Sequence, residues 1–280
     1  MPELPEVETI RLGLEKYLVG HKILDVEIKV LGIFDGSKKN VVGAKVVEVQ
    51  RKGKGLIVVL DNGYSLAIHV KLTGQLIYRD EETKDFPVSK TKVGTVPNKF
   101  THIIFEMDRG AKLYYNDQRR FGWIKVVKTD DINNLPFFKT MGPEPFKDLT
   151  LEKFEEAIEG KQTAIKPLIM DQTRVGGIGN IYANDALSMA KIDPRRSAKT
   201  LKKDEVKKLY EAILFVMNKS FRYGGASELN FVNVLGQEGE YQRHSLVYGK
   251  KGKPCPNCGA EIKKIYLGGR GTFFCEACQK

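Results

Sequence analysis

The chain is predicted to be α+β and multidomain, and three observations carry that reading. Short β-type apolar runs fill residues 22–128, helical periodicity dominates beyond residue 147, and all four cysteines fall after residue 250. The 280 residues, 41% hydrophobic and 29% charged, supply enough apolar material for more than one core and exclude wholesale disorder. No run of eighteen apolar residues occurs, which excludes a membrane-spanning helix. The opening MPELPEVETI carries acids where a signal peptide needs bases, so a cytoplasmic protein is expected.

The first segment reads as a helix. Pro5 suits a first helical position, Val7, Ile10 and Leu14 keep helical spacing, and Glu6 and Glu8 lie in the first turn, where the macrodipole favours acids. From Lys22 the pattern turns to strands: KILDVEIKVL, KVVEVQ, GLIVVL, SLAIHV, THIIFEM, KLYYND and WIKVVK, punctuated by NGYS and DRGAK. Several short strands with turn signals predict a β-sandwich or barrel-like layer. The polar, strand-poor stretch RDEETKDFPVSKTKVGTVPNK, residues 79–99, is expected to be a mobile loop, and NNLPFFKTMGPEP a linker. Helical patterns follow in LEKFEEAIEG, TAIKPLIMDQ, GNIYANDALSMAKI and KKDEVKKLYEAILFVMNKSFRY. The expected boundaries are 1–130, a linker at 131–146, a helical domain at 147–244 and a cysteine module at 245–280.

Cys255 and Cys258, then Cys275 and Cys278, form two CxxC knuckles sixteen residues apart. Four soft thiolates at this spacing suit one tetrahedral zinc, and with every position taken by protein the ion would be structural. KIYLGGRGTFFC between the knuckles reads as a hairpin with Arg270 at its glycine-rich turn. A pinned hairpin can hold an arginine against a phosphate, although an exposed hairpin arginine is the plainer reading. The last forty residues carry eight lysines and arginines against two glutamates, +6 of the net +11. Such a tail points to a polyanion, or equally to a solvated lysine face.

Removal of Met1 would leave Pro2 as a secondary amine, a nucleophile able to form an iminium with a sugar's anomeric carbon. Glu3 and Glu6 stand nearby to move protons, though Pro2 and Glu3 also simply precede a helix. The turn VGGIGN before a helix could bind phosphate through helix amides and Asn180, or could be only a tight helix–helix turn.

In order along the chain, MPELPEVET, RKGKGL, HVKLTGQL, DQRRFG, TAIKPLIMDQ, GIGNIYANDAL and VYGKKGKPCPNCG…GRGTFFCEACQK resemble the blocks of the bacterial formamidopyrimidine-DNA glycosylases, relatives of endonuclease VIII. The resemblance implies a β-sandwich carrying the N-terminal helix, a helix–two-turns–helix domain and a C-terminal zinc ribbon held by four cysteines. It implies that Pro2 forms an imine with C1′ of the damaged nucleotide, that Glu3 is the acid/base opening the sugar, and that Glu6 supports the site. Lys54 matches the lysine of β-elimination and phosphate contact, Arg270 that of phosphate binding and δ-elimination. Lys161, Lys166 and Asn180 match phosphate-binding positions. Arg119 and Phe121 match the residues that enter the helix, Phe121 as wedge and Arg119 facing the orphaned base. Leu72 stands where the family usually has a methionine wedge.

Further departures from the family's pattern are Gln118 in place of a usual proline and Phe100 where the family commonly has a histidine that contacts DNA. His102 lies nearby on the opposite face of a strand. The loop 226–243, which corresponds to a lesion-covering loop, has an unusual sequence. The expected function is a bifunctional glycosylase and AP lyase, excising oxidised purines such as 8-oxoguanine and formamidopyrimidines from duplex DNA and then cleaving by β,δ-elimination. Alternatives are an endonuclease VIII-like enzyme for oxidised pyrimidines and a catalytically silent DNA-binding relative. The expected partner is damaged double-stranded DNA, the expected cofactor one structural zinc, and the expected state a nucleoid-associated monomer.

Overall fold

Helix α1 spans Leu4–Leu18 and its start is fixed by a reciprocal cap. The Glu3 amide donates to Glu6 Oε2 at 2.8 Å while the Glu3 carboxylate accepts from the Glu6 amide. Pro5 falls inside the first turn, where no N–H is missed. Val7, Ile10, Leu14 and Leu18 form the buried stripe, as the spacing requires.

The computed structural model describes residues 1–280, which fall into two compact units. The first comprises Met1–Lys139 and Tyr223–Glu240; the second comprises Thr140–Arg222 and Tyr241–Lys280. No helix is long and apolar enough to cross a membrane.

The strands of the first unit are β1 (Ile23–Ile28), β2 (Phe34–Asp35), β3 (Val46–Lys52), β4 (Gly55–Leu60), β5 (Tyr64–His69), β6 (Gly74–Arg79), β7 (Thr101–Met107), β8 (Lys112–Asp117) and β9 (Trp123–Lys128). They form a four-stranded sheet ordered β1-β7-β8-β6 and a five-stranded sheet ordered β2-β9-β5-β4-β3. One core joins the two sheets and the α1 stripe, with Val26, Phe105 and Leu113 from one sheet and Val58, Ile68 and Ile124 from the other. This is the sandwich that the alternating runs predict. Strand β6 was not announced by them; its GQLIYR is short and opens on a glycine.

The chain changes sheets twice at one corner. His69 at the end of β5 pairs with Trp123, and Gly74 at the start of β6 pairs with Asp117. The β5–β6 turn and the β8–β9 turn therefore lie side by side.

Two segments outside the strands pack more closely than their composition suggests. Residues 131–139, within the expected linker, contribute Ile132 and Phe138 to a second core with Ile57 and Ala67. The short helix α2 (Pro136–Lys139) belongs to this segment. It covers the outer face of β4, which explains the unbroken apolar run GLIVVL. Residues 79–99, expected as a mobile loop, hold no strand beyond Arg79 at the end of β6, yet are packed. Val88, Val93 and Val96 join Ile77, Ile104, Tyr114 and Val232 in a small apolar cluster. Three valines spaced through polar sequence supply the attachment without any period.

The second unit contains α3 (Leu151–Ile158), α4 (Ile165–Ile169), α5 (Asn180–Met189), α6 (Lys203–Arg222) and α7 (Tyr241–His244), then the antiparallel hairpin β10 (Lys263–Leu267) and β11 (Arg270–Phe274). The turns between α4 and α5 are fixed by one side chain. Gln172 Nε2 donates to the carbonyls of Met170 and Ile178, at 2.8 and 2.7 Å, and its Oε1 accepts from the Gly177 amide at 3.0 Å. The buried Asp185 carboxylate accepts from the amides of Leu246, Val247 and Tyr248 and from the Tyr241 hydroxyl, which ties the approach to the cysteine module onto α5. Burial pushes the Asp185 carboxyl up against the opposing pull of those donors.

Candidate active site and nucleic-acid interface

In the first unit Pro2 is buried and Glu3 and Glu6 are 4% and 1% exposed. Besides capping Glu3, Glu6 reaches across the fold: its Oε1 accepts the Ala226 amide at 2.8 Å. Gly225 lies close against the same carboxylate, with φ +88° and room for no side chain. Both carboxylates thus belong to a tightly held helix start.

Lys54 sits in the turn between β3 and β4 and is buried. That hairpin is bound to α1 through Glu8, whose Oε2 accepts from Arg51 Nε at 2.8 Å. Arg51 Nη1 in turn donates to the Gly53 carbonyl at 3.0 Å. One arginine therefore links the helix that follows Pro2 to the turn that bears Lys54.

The sequence does not single out His69, which is buried at the end of β5, beside the turn that bears Leu72. Burial, reinforced by the positive charges of Lys71 and Lys54, pulls its imidazole down to about 3. It is neutral at physiological pH, and Nδ1 accepts the Lys71 amide at 2.9 Å, which leaves its proton on Nε2. Lys71 takes a left-handed backbone, φ 49°, and turns the chain into Leu72.

The adjacent β8–β9 turn is organised by the fully buried Asp117. Its Oδ2 accepts the Gly122 amide at 2.8 Å, while Oδ1 accepts the Thr73 hydroxyl and, at 3.2 Å, the Arg119 amide. The Arg119 amide also lies 3.1 Å from Thr73 Oγ1. Leu72, Arg119 and Phe121 are thereby drawn to one corner. Arg119 and Phe121 are exposed, and the guanidinium stands 4.7 Å from the Phe121 ring centroid. His102 is buried and its Nε2 engages the Asp117 carbonyl at 2.8 Å. Phe100 contributes its carbonyl to the Asp117 amide at 3.0 Å.

In the second unit Asn180 opens α5. Its Nδ2 donates to the Gly271 carbonyl at 3.1 Å, and its Oδ1 accepts from Lys166 Nζ at 2.7 Å. Lys166 also donates to Gly271 O and to Thr272 Oγ1, at 3.1 and 2.7 Å. At 1% exposure its ammonium is a strut between α5 and the hairpin rather than a surface charge. Asn184 fastens the same joint by accepting the Phe273 amide at 2.7 Å. The structure therefore brings exposed Arg270, next to Gly271, to the N-terminal end of α5. Lys161 lies apart, half-buried after α3, where its carbonyl accepts the Lys199 amide at 2.9 Å.

The four cysteine sulfurs lie within 4.8 Å of one another. Cys255 and Cys278 are 3.9 Å apart and Cys258 and Cys275 3.5 Å. A zinc–sulfur bond of about 2.3 Å places tetrahedral ligands about 3.8 Å apart, so the donor set fits one structural zinc. Val247 and Ile262 pack beneath it.

A helix-capped sandwich, a helix–two-turns–helix domain and a cysteine-pinned hairpin together make a DNA-repair glycosylase architecture. Residues 1–124 match the formamidopyrimidine-DNA glycosylase N-terminal domain, 141–231 its H2TH domain, and 252–280 the zinc finger found in FPG and IleRS. The chain belongs to the formamidopyrimidine-DNA glycosylase family. The formamidopyrimidine-DNA glycosylase of Pelotomaculum thermopropionicum is 39% identical, covering 100% of this chain and 99% of its own. That of Streptococcus mutans is 37% identical over 100% of both. A mutant Lactococcus lactis FPG in complex with a Fapy-dG containing DNA superposes with TM-score 0.88 at 33% identity, covering 100% of each chain.

Proposed function

We propose that the protein is a bifunctional glycosylase and AP lyase that excises oxidised purines, 8-oxoguanine and formamidopyrimidines, from duplex DNA. The observation that carries this reading is the buried carboxylate pair Glu3 and Glu6 at the capped start of α1, immediately after Pro2. With Met1 removed, Pro2 nitrogen attacks C1′ and the base leaves. Glu3 donates a proton as the sugar ring opens, giving an iminium that acts as electron sink. Loss of a C2′ proton then breaks the 3′ C–O bond, with Lys54 close to the phosphate, and a second elimination, aided by Arg270, breaks the 5′ bond. Glu6 holds the helix start. Asn180, Lys161 and Arg270 contact phosphate, with Lys166 supporting Asn180 and the hairpin from behind. Leu72, Arg119 and Phe121 fill the gap left by the extruded nucleotide. The domain roles expected are catalysis in 1–130, DNA grip in 147–244 and a phosphate-holding finger in 245–280. The protein acts as a monomer, within the cytoplasm and on the nucleoid.

Borohydride reduction during incubation with an 8-oxoguanine duplex should trap a covalent adduct, and mass spectrometry of the active chain should find Met1 absent. With Met1 attached the proline nitrogen is an amide and cannot attack, so an active chain that retains Met1 refutes the mechanism. A second reading, action on oxidised pyrimidines, is favoured by one observation. The wild-type Lactococcus lactis FPG, 34% identical with TM-score 0.87, is described in complex with an oxidised pyrimidine containing DNA. Excision from thymine glycol and 8-oxoguanine duplexes distinguishes the two.

A further inference from the structure

Residues 225–231 run between two places in the first unit, and each end is held. At one end the Ala226 amide donates to Glu6 Oε1 at 2.8 Å. At the other, Asn230 is held twice. Gln75 Nε2 donates to its backbone carbonyl at 2.8 Å, and its own Nδ2 donates to Gln118 Oε1 at 3.0 Å. Gln75 is itself buried, and the same nitrogen also reaches the Lys92 carbonyl at 3.1 Å. Ser227 closes the arch internally, its hydroxyl donating to Phe231 O at 2.8 Å and accepting the Gly239 amide at 2.9 Å. Between the feet, Glu228 and Leu229 are exposed, Leu229 to 57%.

We propose that Gln75 and Gln118 are positioning residues that pre-set this arch between the α1 start and the Arg119–Phe121 turn, so that base excision depends on the Gln118–Asn230 contact. The proposal rests on the imine reading above. A base attached to C1′ must lie near the nucleophile once it leaves the stack, and the arch is fastened directly to the carboxylate that caps that nucleophile's helix. An abasic sugar has no base to be held. Ordering the arch in advance removes an entropic cost from the excision step alone. Gln118 is also next to Arg119, so a displacement of the turn that carries the wedge is felt at Asn230. A proline at 118 could not offer this acceptor, so the pairing depends on the glutamine amide itself.

The test compares wild type, Gln118→Leu, Asn230→Ala and the double variant in single-turnover assays at saturating enzyme. The substrates are an 8-oxoguanine duplex and the same duplex with a preformed abasic site. Each single change should slow base excision by about threefold to tenfold, the range of one neutral hydrogen bond. The double variant should be no slower than the singles, because both remove one contact. Cleavage at the abasic site should stay within about twofold of wild type, a difference too small to count as a lost hydrogen bond. Unchanged excision, equal loss on both substrates, or multiplying losses in the double variant would each overturn the proposal while leaving the imine reading intact. Wild-type protein that gives no borohydride adduct with the abasic duplex would sink that reading, and the proposal with it.

Discussion

Asp117 Oδ2 lies 2.8 Å from the amide nitrogen of Gly122, so one buried carboxylate closes the turn that carries Arg119 and Phe121. Replacing Asp117 by Ala leaves the Gly122 amide and the Thr73 hydroxyl without their acceptor. The expected cost is about 2 kcal/mol of stability, measured by urea unfolding. Affinity for a lesion duplex should fall along with it. A variant with unchanged stability would show that the turn is held by other contacts.

His69 makes stability depend on pH. Its folded value is about 3, against an ordinary 6.5, so the unfolded chain takes up the proton first as pH falls. The stabilisation is complete above pH 6.5 and is lost progressively down to about 3. His69→Asn offers an uncharged acceptor to the Lys71 amide. Its Tm should decline less than that of wild type between pH 6.5 and about 4, as calorimetry would show. Parallel curves would contradict the assignment.

Gly13→Ala should destabilise the protein, against the general preference of helices for alanine. A Cβ at Gly13 would lie 2.4 Å from Val234 Cγ2. Alanine normally gains about 1 kcal/mol over glycine in a helix, whereas overpacking costs about 1–3 kcal/mol. A lower urea midpoint is expected, and a higher one would mean that Val234 yields without cost.

Lys166 and Arg270 should part company in salt titrations of DNA binding. Arg270 is exposed, and Arg270→Ala should reduce the slope of log K against log salt by about 0.9, one phosphate contact. Lys166→Met removes an ammonium whose donors are spent on Asn180, Gly271 and Thr272. It should cost about 3 kcal/mol of stability with the slope unchanged. A reduced slope in Lys166→Met would place its charge on the DNA.

The strands and α1 were legible because their burial follows a local period, and the zinc site because four cysteines announce themselves at fixed spacing. What held the turns together was not legible. Asp117 reads as turn punctuation in YYNDQRRFG, yet its partner Thr73 lies 44 residues away. Glu6 meets Ala226 across 220 residues, and no pattern joins them. Lys166 read as one more phosphate-binding lysine, because sequence shows charge but not the acceptors that surround it. Phe138 and Val93 sit in segments too polar or too rich in proline to declare an apolar face.

Tyr223–Glu240 returns to the first unit after the second has begun, and Phe231 and Val234 fill its core. The ribosome must therefore deliver the polypeptide well past the second unit's first helices before the sandwich can close. A gene cut after residue 139 would yield a fragment lacking both those side chains and the Ala226 amide that Glu6 engages. Completion of the surroundings of Glu6 is thus a late event of biosynthesis, and a prematurely terminated product would leave the start of α1 without the Ala226 amide.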